Sequence, residues 1–361
     1  MDHAPTGDAF APGLLARLPA PRRVALVRVS RLGDFICATP AFRALRAALP
    51  EAEITLIGLP FARELVARSR QLDRFAPFPG FPGMAEQFFD ARRAAAFLRR
   101  MQRERFDLAV QMHGSGVYSN PFTLLLGARA TAGFVRPGDP SGRLDAALPL
   151  PDELPEIERL LALVTFLGAP AHGATPEYPL WPADHAAAER LLARLTRPLI
   201  GLHPAARHPT KRWPPERFAA VGTALVERFG GTVVVLGGRE TRPLAEAVAA
   251  QVRATCRNLA GRTGLGSLGA VVARLAVLVT NDTGPAHIAY ALGTPTATVF
   301  GGTDPAQWGP PDGPHRVALH PVACRPCEEV PCPVGYSCLA GVTVGQVVET
   351  AEAVWRPAEP G

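Results

Sequence analysis

At 361 residues the chain is too long for one ordinary hydrophobic core and suits two domains of roughly 150 residues each. Its 47% hydrophobic and 19% charged residues exclude a disordered or fibrous protein, and no apolar run of about 18 residues escapes interruption by a charge, which argues against a membrane-spanning helix. The formal net charge of +6 is dispersed, without a basic run or interleaved aromatics, so acidic small ligands or a membrane surface are favoured over nucleic acid.

In chain order, residues 1–21 carry acids and scattered prolines but no basic cluster leading into an apolar block. They read as a flexible N-terminal tail, not a secretory signal. Residues 23–30 form a valine-rich run suited to a buried parallel strand, followed by a loop at Arg31–Asp34. Thr39-Pro40 reads as the cap and first position of a helix through Leu49. Strands at 54–58 and 106–112, and helices at 91–105 and 155–167, continue an alternation of β and α that implies a parallel sheet with crossover helices. Residues 169–183, dense in Pro and Gly, form a linker between a domain at 22–168 and a second at 184–342, with a C-terminal helix and tail at 343–361. The second domain repeats the pattern, with helices at 184–195, 215–229, 241–253, 267–275 and 285–292 and strands at 198–202, 232–236, 277–280 and 296–300. The fold class is α/β, two facing doubly wound, Rossmann-like domains, and ligands bind such sheets beyond the carboxyl ends of their strands.

Each polar constellation falls at such a strand end. Gly33 permits a tight turn after the first strand, and Asp34 is either a base or a helix cap. The long loop 203–214 carries Thr210, Lys211 and Arg212, a hydroxyl and two cations that suit a diphosphate or else form a solvated charge run. Lys211 is the single lysine of a chain otherwise using arginine, which fits a site that prefers a compact ammonium. In Gly237-Gly238-Arg239-Glu240 the glycines admit a ligand to the backbone and Glu240 suits ribose hydroxyls, but the third glycine of a dinucleotide fingerprint is absent. The segment Asn281-Asp282-Thr283-Gly284-Pro285-Ala286-His287 places a glycine and an N1 proline where a helix opens, an anion site by construction. Its polar residues read alternatively as caps, with His287 packed in the first turn.

Together these motifs, with Thr39-Pro40-Ala41, Ala291-Leu292-Gly293-Thr294-Pro295 and Phe300-Gly301-Gly302-Thr303-Asp304-Pro305, resemble the ADP-heptose lipopolysaccharide heptosyltransferases of glycosyltransferase family 9 over residues 22–345. The resemblance implies a GT-B type fold, with the first domain binding acceptor and the second the nucleotide sugar. It puts Asp34 at the catalytic base, Lys211 at the lysine on the donor phosphates, Glu240 on the ribose, Asp282 on the donor sugar, Thr283 and Gly284 on the diphosphate and Thr263 near the adenine. Thr210, Gly238 and His287 complete the donor set. Gly33 and His113 fall on the acceptor side, His113 where many members have glutamine.

The reading that follows is an inverting transfer of a sugar, heptose from ADP-heptose, onto a lipopolysaccharide core or related envelope saccharide. It needs no cofactor besides the nucleotide-sugar co-substrate, since Lys211 and helix amides neutralise the leaving group. The implied location is cytoplasmic, with peripheral contact at the inner membrane and a lipid-linked or core oligosaccharide as acceptor. Two alternatives stand beside it, a nucleotide-sugar epimerase of the same build and a non-catalytic saccharide-binding homologue. Cys324, Cys327, Cys332 and Cys338 make a C-terminal cluster, but the second pair lacks the two-residue spacing of a zinc knuckle, so a reduced, metal-free loop is expected.

Overall fold

The computed structural model describes residues 11–136, 138 and 143–355. The tail expected at residues 1–10 and the last residues, 356–361, lie outside the described residues. Within the remainder of that expected tail, Leu14–Arg17 is a short helix whose Leu14 is buried, and Gly13 N–H donates to Phe166 O at 2.8 Å. By its contacts the chain divides into residues 1–176 and 177–361, a boundary inside the stretch 169–183.

The first unit is a six-stranded parallel sheet: β1 (Arg23–Val27), β2 (Glu53–Gly58), β3 (Arg74–Pro77), β4 (Leu108–Gln111), β5 (Ala130–Val135) and β6 (Ala146–Pro149). Their spatial order is β3-β2-β1-β4-β5-β6, so the winding reverses between β1 and β4. Val24 to Val27 are fully buried because helices cover both faces of the sheet. One of the two faces gathers Ala25, Val27, Ile57 and Ala109 with Phe97 and Phe122 from covering helices.

The helix expected to begin at Pro40 begins at Leu32 and runs to Ala48, with Pro40 inside it. The local chemistry explains the difference. Pro40 has no N–H to offer Ile36 O four residues back, and the Thr39 hydroxyl donates to that carbonyl instead, at 2.7 Å. The residues read as a loop, Arg31 to Asp34, are therefore mostly a helix start.

The second unit repeats the architecture with β7 (Leu199–His203), β8 (Thr232–Val235), β9 (Cys256–Asn258), β10 (Val277–Asn281), β11 (Thr296–Phe300) and β12 (His315–Leu319). All pair in parallel in the order β12-β11-β10-β7-β8-β9, with the reversal between β7 and β10. Trp213 and Phe218 meet edge to face at 5.1 Å in a core that the C-terminal helix Val344–Glu352 closes through Val347 and Ala351. Among the described residues no helix is long and apolar enough to cross a membrane.

Candidate functional site

In the first unit the loops after β1 and β4 flank the point where the winding reverses. Arg28, just past β1, ties them together. Its guanidinium is buried and donates to Met112 O at 2.5 Å, to Asp34 O at 3.1 Å and to Glu156 Oε1 at 2.7 Å. Glu156 also meets Arg159 at 3.3 Å. Burial works against the Arg28 charge, but Glu156 and then Asp34 outweigh it and hold the guanidinium protonated beyond its usual range.

Asp34 sits in the first turn of the helix 32–48. Its Oδ2 accepts from Arg31 N–H at 3.2 Å, so the capping role is realised. The carboxylate has a second oxygen, however. Oδ1 lies 3.7 Å from Arg28 on a side chain about a quarter exposed. Capping and proton acceptance are compatible roles for its two oxygens. Gly33 is buried beside it in the same turn.

His113 follows β4, and its Nε2 lies 3.3 Å from Glu86 Oε1, an acid the sequence motifs did not flag. Burial alone would raise the Glu86 carboxyl, but the hydrogen bond and charge of His113 carry it below its usual value. The buried Gln111 side chain fixes the His113 backbone by donating to its carbonyl, and the Ser119 hydroxyl donates to the same carbonyl at 2.7 Å. Gly133 on β5 makes room for this, since a Cβ there would stand 2.7 Å from Gln111 Cβ.

In the second unit the loops after β7 and β10 flank the other reversal, and here the motifs converge on one edge. Lys211 closes a short 3-10 turn, Pro209–Lys211, and its Nζ donates to Asp282 Oδ2 at 2.7 Å. The Asp282 side chain is 4% exposed and that of Lys211 27%, so the carboxylate is the buried partner and the ammonium the accessible one. His287 Nε2 stands 3.9 Å from the other Asp282 oxygen. Asn281, at the end of β10, staples both ends of the Lys211 loop. Its Nδ2 donates to Pro204 O at 2.9 Å and its Oδ1 accepts from Trp213 N–H at 3.2 Å. Thr210 is buried and its carbonyl accepts from Gly302 N–H at 3.0 Å. Arg212 does not join Lys211 as a paired cation, as the sequence suggested. Its guanidinium folds back onto Ala206 O and Arg207 O, each at 2.7 Å.

The helix Gly284–Leu292 opens directly after Asp282 and Thr283. Pro285 has no N–H and Ala286 N–H already donates to Thr283 O at 2.9 Å, which leaves the Gly284 amide as the first-turn donor aimed outward along the helix axis. Gly238 and Glu240 lie in the exposed turn after β8, beside the loop after β9. Gly261 N–H donates to Gly237 O at 2.9 Å, joining these loops, and the half-buried Thr263 follows two residues later.

His203, at the end of β7, is buried, with the hydroxyls of Thr280 and Thr283 each 3.3 Å from its Nδ1. Burial strips the imidazolium of water and pushes its pKa down to about 4. An unfolded chain takes up this proton near pH 6.5, before the folded chain does. The contribution to stability is therefore complete above about pH 6.5 and drains away as pH falls toward about 4, by at most about 3 kcal/mol. In a denaturant series across that window, His203→Asn is expected to flatten the pH slope by this amount.

The four clustered cysteines are free thiols, and Cys324, Cys327, Cys332 and Cys338 line one small cavity together with Thr210 and Gly302. Among the described residues no three Cys, His, Asp or Glu side chains are gathered closely enough to share a metal ion.

Two doubly wound units, each with polar groups at the carboxyl edge of its sheet beside the reversal, make up the α/β architecture of the GT-B type. Residues 94–337 match the sequence profile of glycosyltransferase family 9 (heptosyltransferase), and the chain belongs to that family. Over 298 residues it is 29% identical to lipopolysaccharide heptosyltransferase 2 of Salmonella typhimurium, which covers 78% of this chain and 84% of the relative. The fold is shared with the E. coli ADP-heptose LPS heptosyltransferase II, at a TM-score of 0.74 and 22% identity over 92% of this chain and 98% of the other. It is shared also with E. coli heptosyltransferase WaaC with ADP, at 0.70 and 21% over 92% and 99%.

Proposed function

We propose that this glycosyltransferase moves heptose from ADP-heptose onto a lipopolysaccharide core acceptor, with inversion at the anomeric carbon. The observation that carries this reading is the Lys211–Asp282 pair at 2.7 Å, set where the helix 284–292 opens. A half-exposed ammonium and a first-turn amide suit a diphosphate, and a buried carboxylate beside them suits sugar hydroxyls. The names of the relatives, lipopolysaccharide heptosyltransferases and one bound to ADP, supply the sugar, the nucleotide and the acceptor class.

In the proposed reaction an acceptor hydroxyl attacks the anomeric carbon while its proton passes to Asp34. The bond from the anomeric carbon to the phosphate oxygen breaks, and ADP leaves with the electron pair. Lys211 and the Gly284 amide neutralise the charge that develops on the departing diphosphate. Glu240 and Gly238 hold the ribose, Thr263 borders the adenine, and Thr210, Thr283 and His287 shape the phosphate and sugar pocket. Gly33 and His113 serve the acceptor.

A panel of nucleotide sugars tests the donor assignment. By calorimetry ADP-heptose is expected to bind at least about tenfold more tightly than UDP- or GDP-sugars, a difference of about 1.4 kcal/mol. Preference for another nucleotide would overturn the assignment, and conversion of the donor without any acceptor would favour an epimerase.

A further inference from the structure

Four of the six cysteines, Cys324, Cys327, Cys332 and Cys338, line a single cavity in the segment after β12. It measures only about 10 Å³, the room of one water molecule, so it admits no ligand that the thiols could serve. Among the described residues they are not gathered as metal ligands either. What the cavity brings within reach of each thiol is another thiol.

The four sulfurs differ in access. Cys324 is exposed, Cys327 and Cys332 are half-buried, and Cys338 is buried in the short helix Ser337–Ala340. Burial, opposed by the Arg325 charge, raises the Cys338 thiol, and charge on Cys324 and then on Cys332 raises it further. Cys338 therefore senses the one sulfur of the set that solvent reaches freely, and Cys324 with Cys338 makes the natural pair.

The cavity adjoins the donor edge of the second unit. Cys327 N–H donates to Gly302 O at 2.8 Å, Gly302 N–H donates to Thr210 O at 3.0 Å, and Lys211 is the next residue. These segments pack without slack, since a Cβ on Gly302 would stand 2.3 Å from Cys327 O and one on Gly301 2.0 Å from Thr210 O. Arg325 Nε donates to Gly301 O at 2.8 Å as well. Displacement of residues 324–327 is thus passed to the turn that carries Lys211.

We infer that this cavity is a thiol–disulfide exchange site, where a low-molecular-weight disulfide converts Cys324 and Cys338 into an intramolecular disulfide that disturbs the Lys211 turn and weakens donor binding. The last part rests on the reading that Lys211 meets the donor diphosphate. In the first step the Cys324 thiolate attacks one sulfur of the small disulfide, whose S–S bond breaks and expels a thiolate. Cys338 then gives up its proton to water, its sulfur attacks Cys324 Sγ, and the second small thiolate leaves. Two protein thiols are oxidised and one small disulfide is reduced to two thiols. The mixed disulfide removes the Cys324 charge that opposed ionisation of Cys338, which favours the second step. Closing the bond requires the sulfurs to come to about 2 Å, which draws the exposed segment toward the buried helix.

The test exposes the full chain to glutathione disulfide, then unfolds it, alkylates it and weighs it, with peptide mapping of the bond and calorimetric titration of ADP before and after. Two of the six cysteines are expected to escape alkylation, with Cys324 joined to Cys338 and ADP affinity lowered at least about fivefold. An excess of dithiothreitol is expected to restore both. Cys324→Ser, a change at an exposed position, is expected to bind ADP as the reduced native chain does and to keep that affinity under glutathione disulfide. Alkylation of all six cysteines, a stable glutathione adduct, another pairing, or native ADP affinity in the bridged chain would overturn the inference. So would an equal loss of affinity in Cys324→Ser. The bond is read by mass alone, so failure of the reduced chain to bind ADP would strike the donor reading and leave the exchange chemistry standing.

Discussion

Asp34→Asn is expected to lower the turnover number by about two to four orders of magnitude while leaving stability nearly unchanged, the loss typical of removing a general base. The amide keeps the size of the carboxylate, and its oxygen can still accept from Arg31 N–H, now 3.2 Å from Oδ2, so the helix start is preserved. What disappears is the ability to take a proton from the acceptor hydroxyl as the new bond forms. Arg28, 3.7 Å from Oδ1, keeps its main carboxylate partner in Glu156 at 2.7 Å and is not left stranded. A stopped-time assay of ADP release with and without acceptor reads the effect. Turnover within a few-fold of native would assign Asp34 to capping alone.

Lys211→Ala is expected to act on both affinity and stability, and the two can be separated. Loss of an ammonium that meets a diphosphate costs about 2–5 kcal/mol of binding, or a factor of about thirty to several thousand in the dissociation constant for ADP. The same change removes the 2.7 Å partner of a carboxylate that is 4% exposed. A fully buried pair broken in this way loses about 3–5 kcal/mol, an upper limit here because the ammonium is partly solvated. Adding Asp282→Asn to Lys211→Ala relieves the stranded carboxylate. The double variant is expected to recover most of its melting temperature and none of its nucleotide affinity. Recovery of both would make the pair a structural feature only.

The strands at the centre of each sheet were legible in the sequence because burial on both faces demands unbroken apolar runs, as at Val24–Val27 and Val277–Val279. Edge strands were not, and neither was the interior strand Ala130–Val135, whose Thr131 and Gly133 interrupt its apolar run. Arg74–Pro77 and Ala146–Pro149 are four residues each, end in proline and carry too little pattern to stand out from a loop. The sequence also misled at Pro40, where a proline that usually opens a helix sits within one because Thr39 supplies the missing donor.

Within the second unit, the groups at the strand edge came from local motifs, so Lys211 and Asp282 were both singled out, although 71 residues separate them and nothing in the sequence paired them. The supporting groups escaped notice for the same reason. Arg28 and Glu156 are 128 residues apart, and each looks ordinary in its own segment. Glu86 lies in a stretch without periodicity, and Asn281 reads as one more polar residue in its motif until its hydrogen bonds to Pro204 and Trp213 are seen. His203 was overlooked because a histidine at a strand end is unremarkable until burial is known.

The division of labour between the units is tested most directly by titrating ADP into Asp34→Asn and Lys211→Ala side by side. The Asp34 variant is predicted to bind ADP as the native chain does, and the Lys211 variant to lose at least about thirtyfold in affinity. Native ADP affinity in the Lys211 variant, or its loss in the Asp34 variant, would contradict the account.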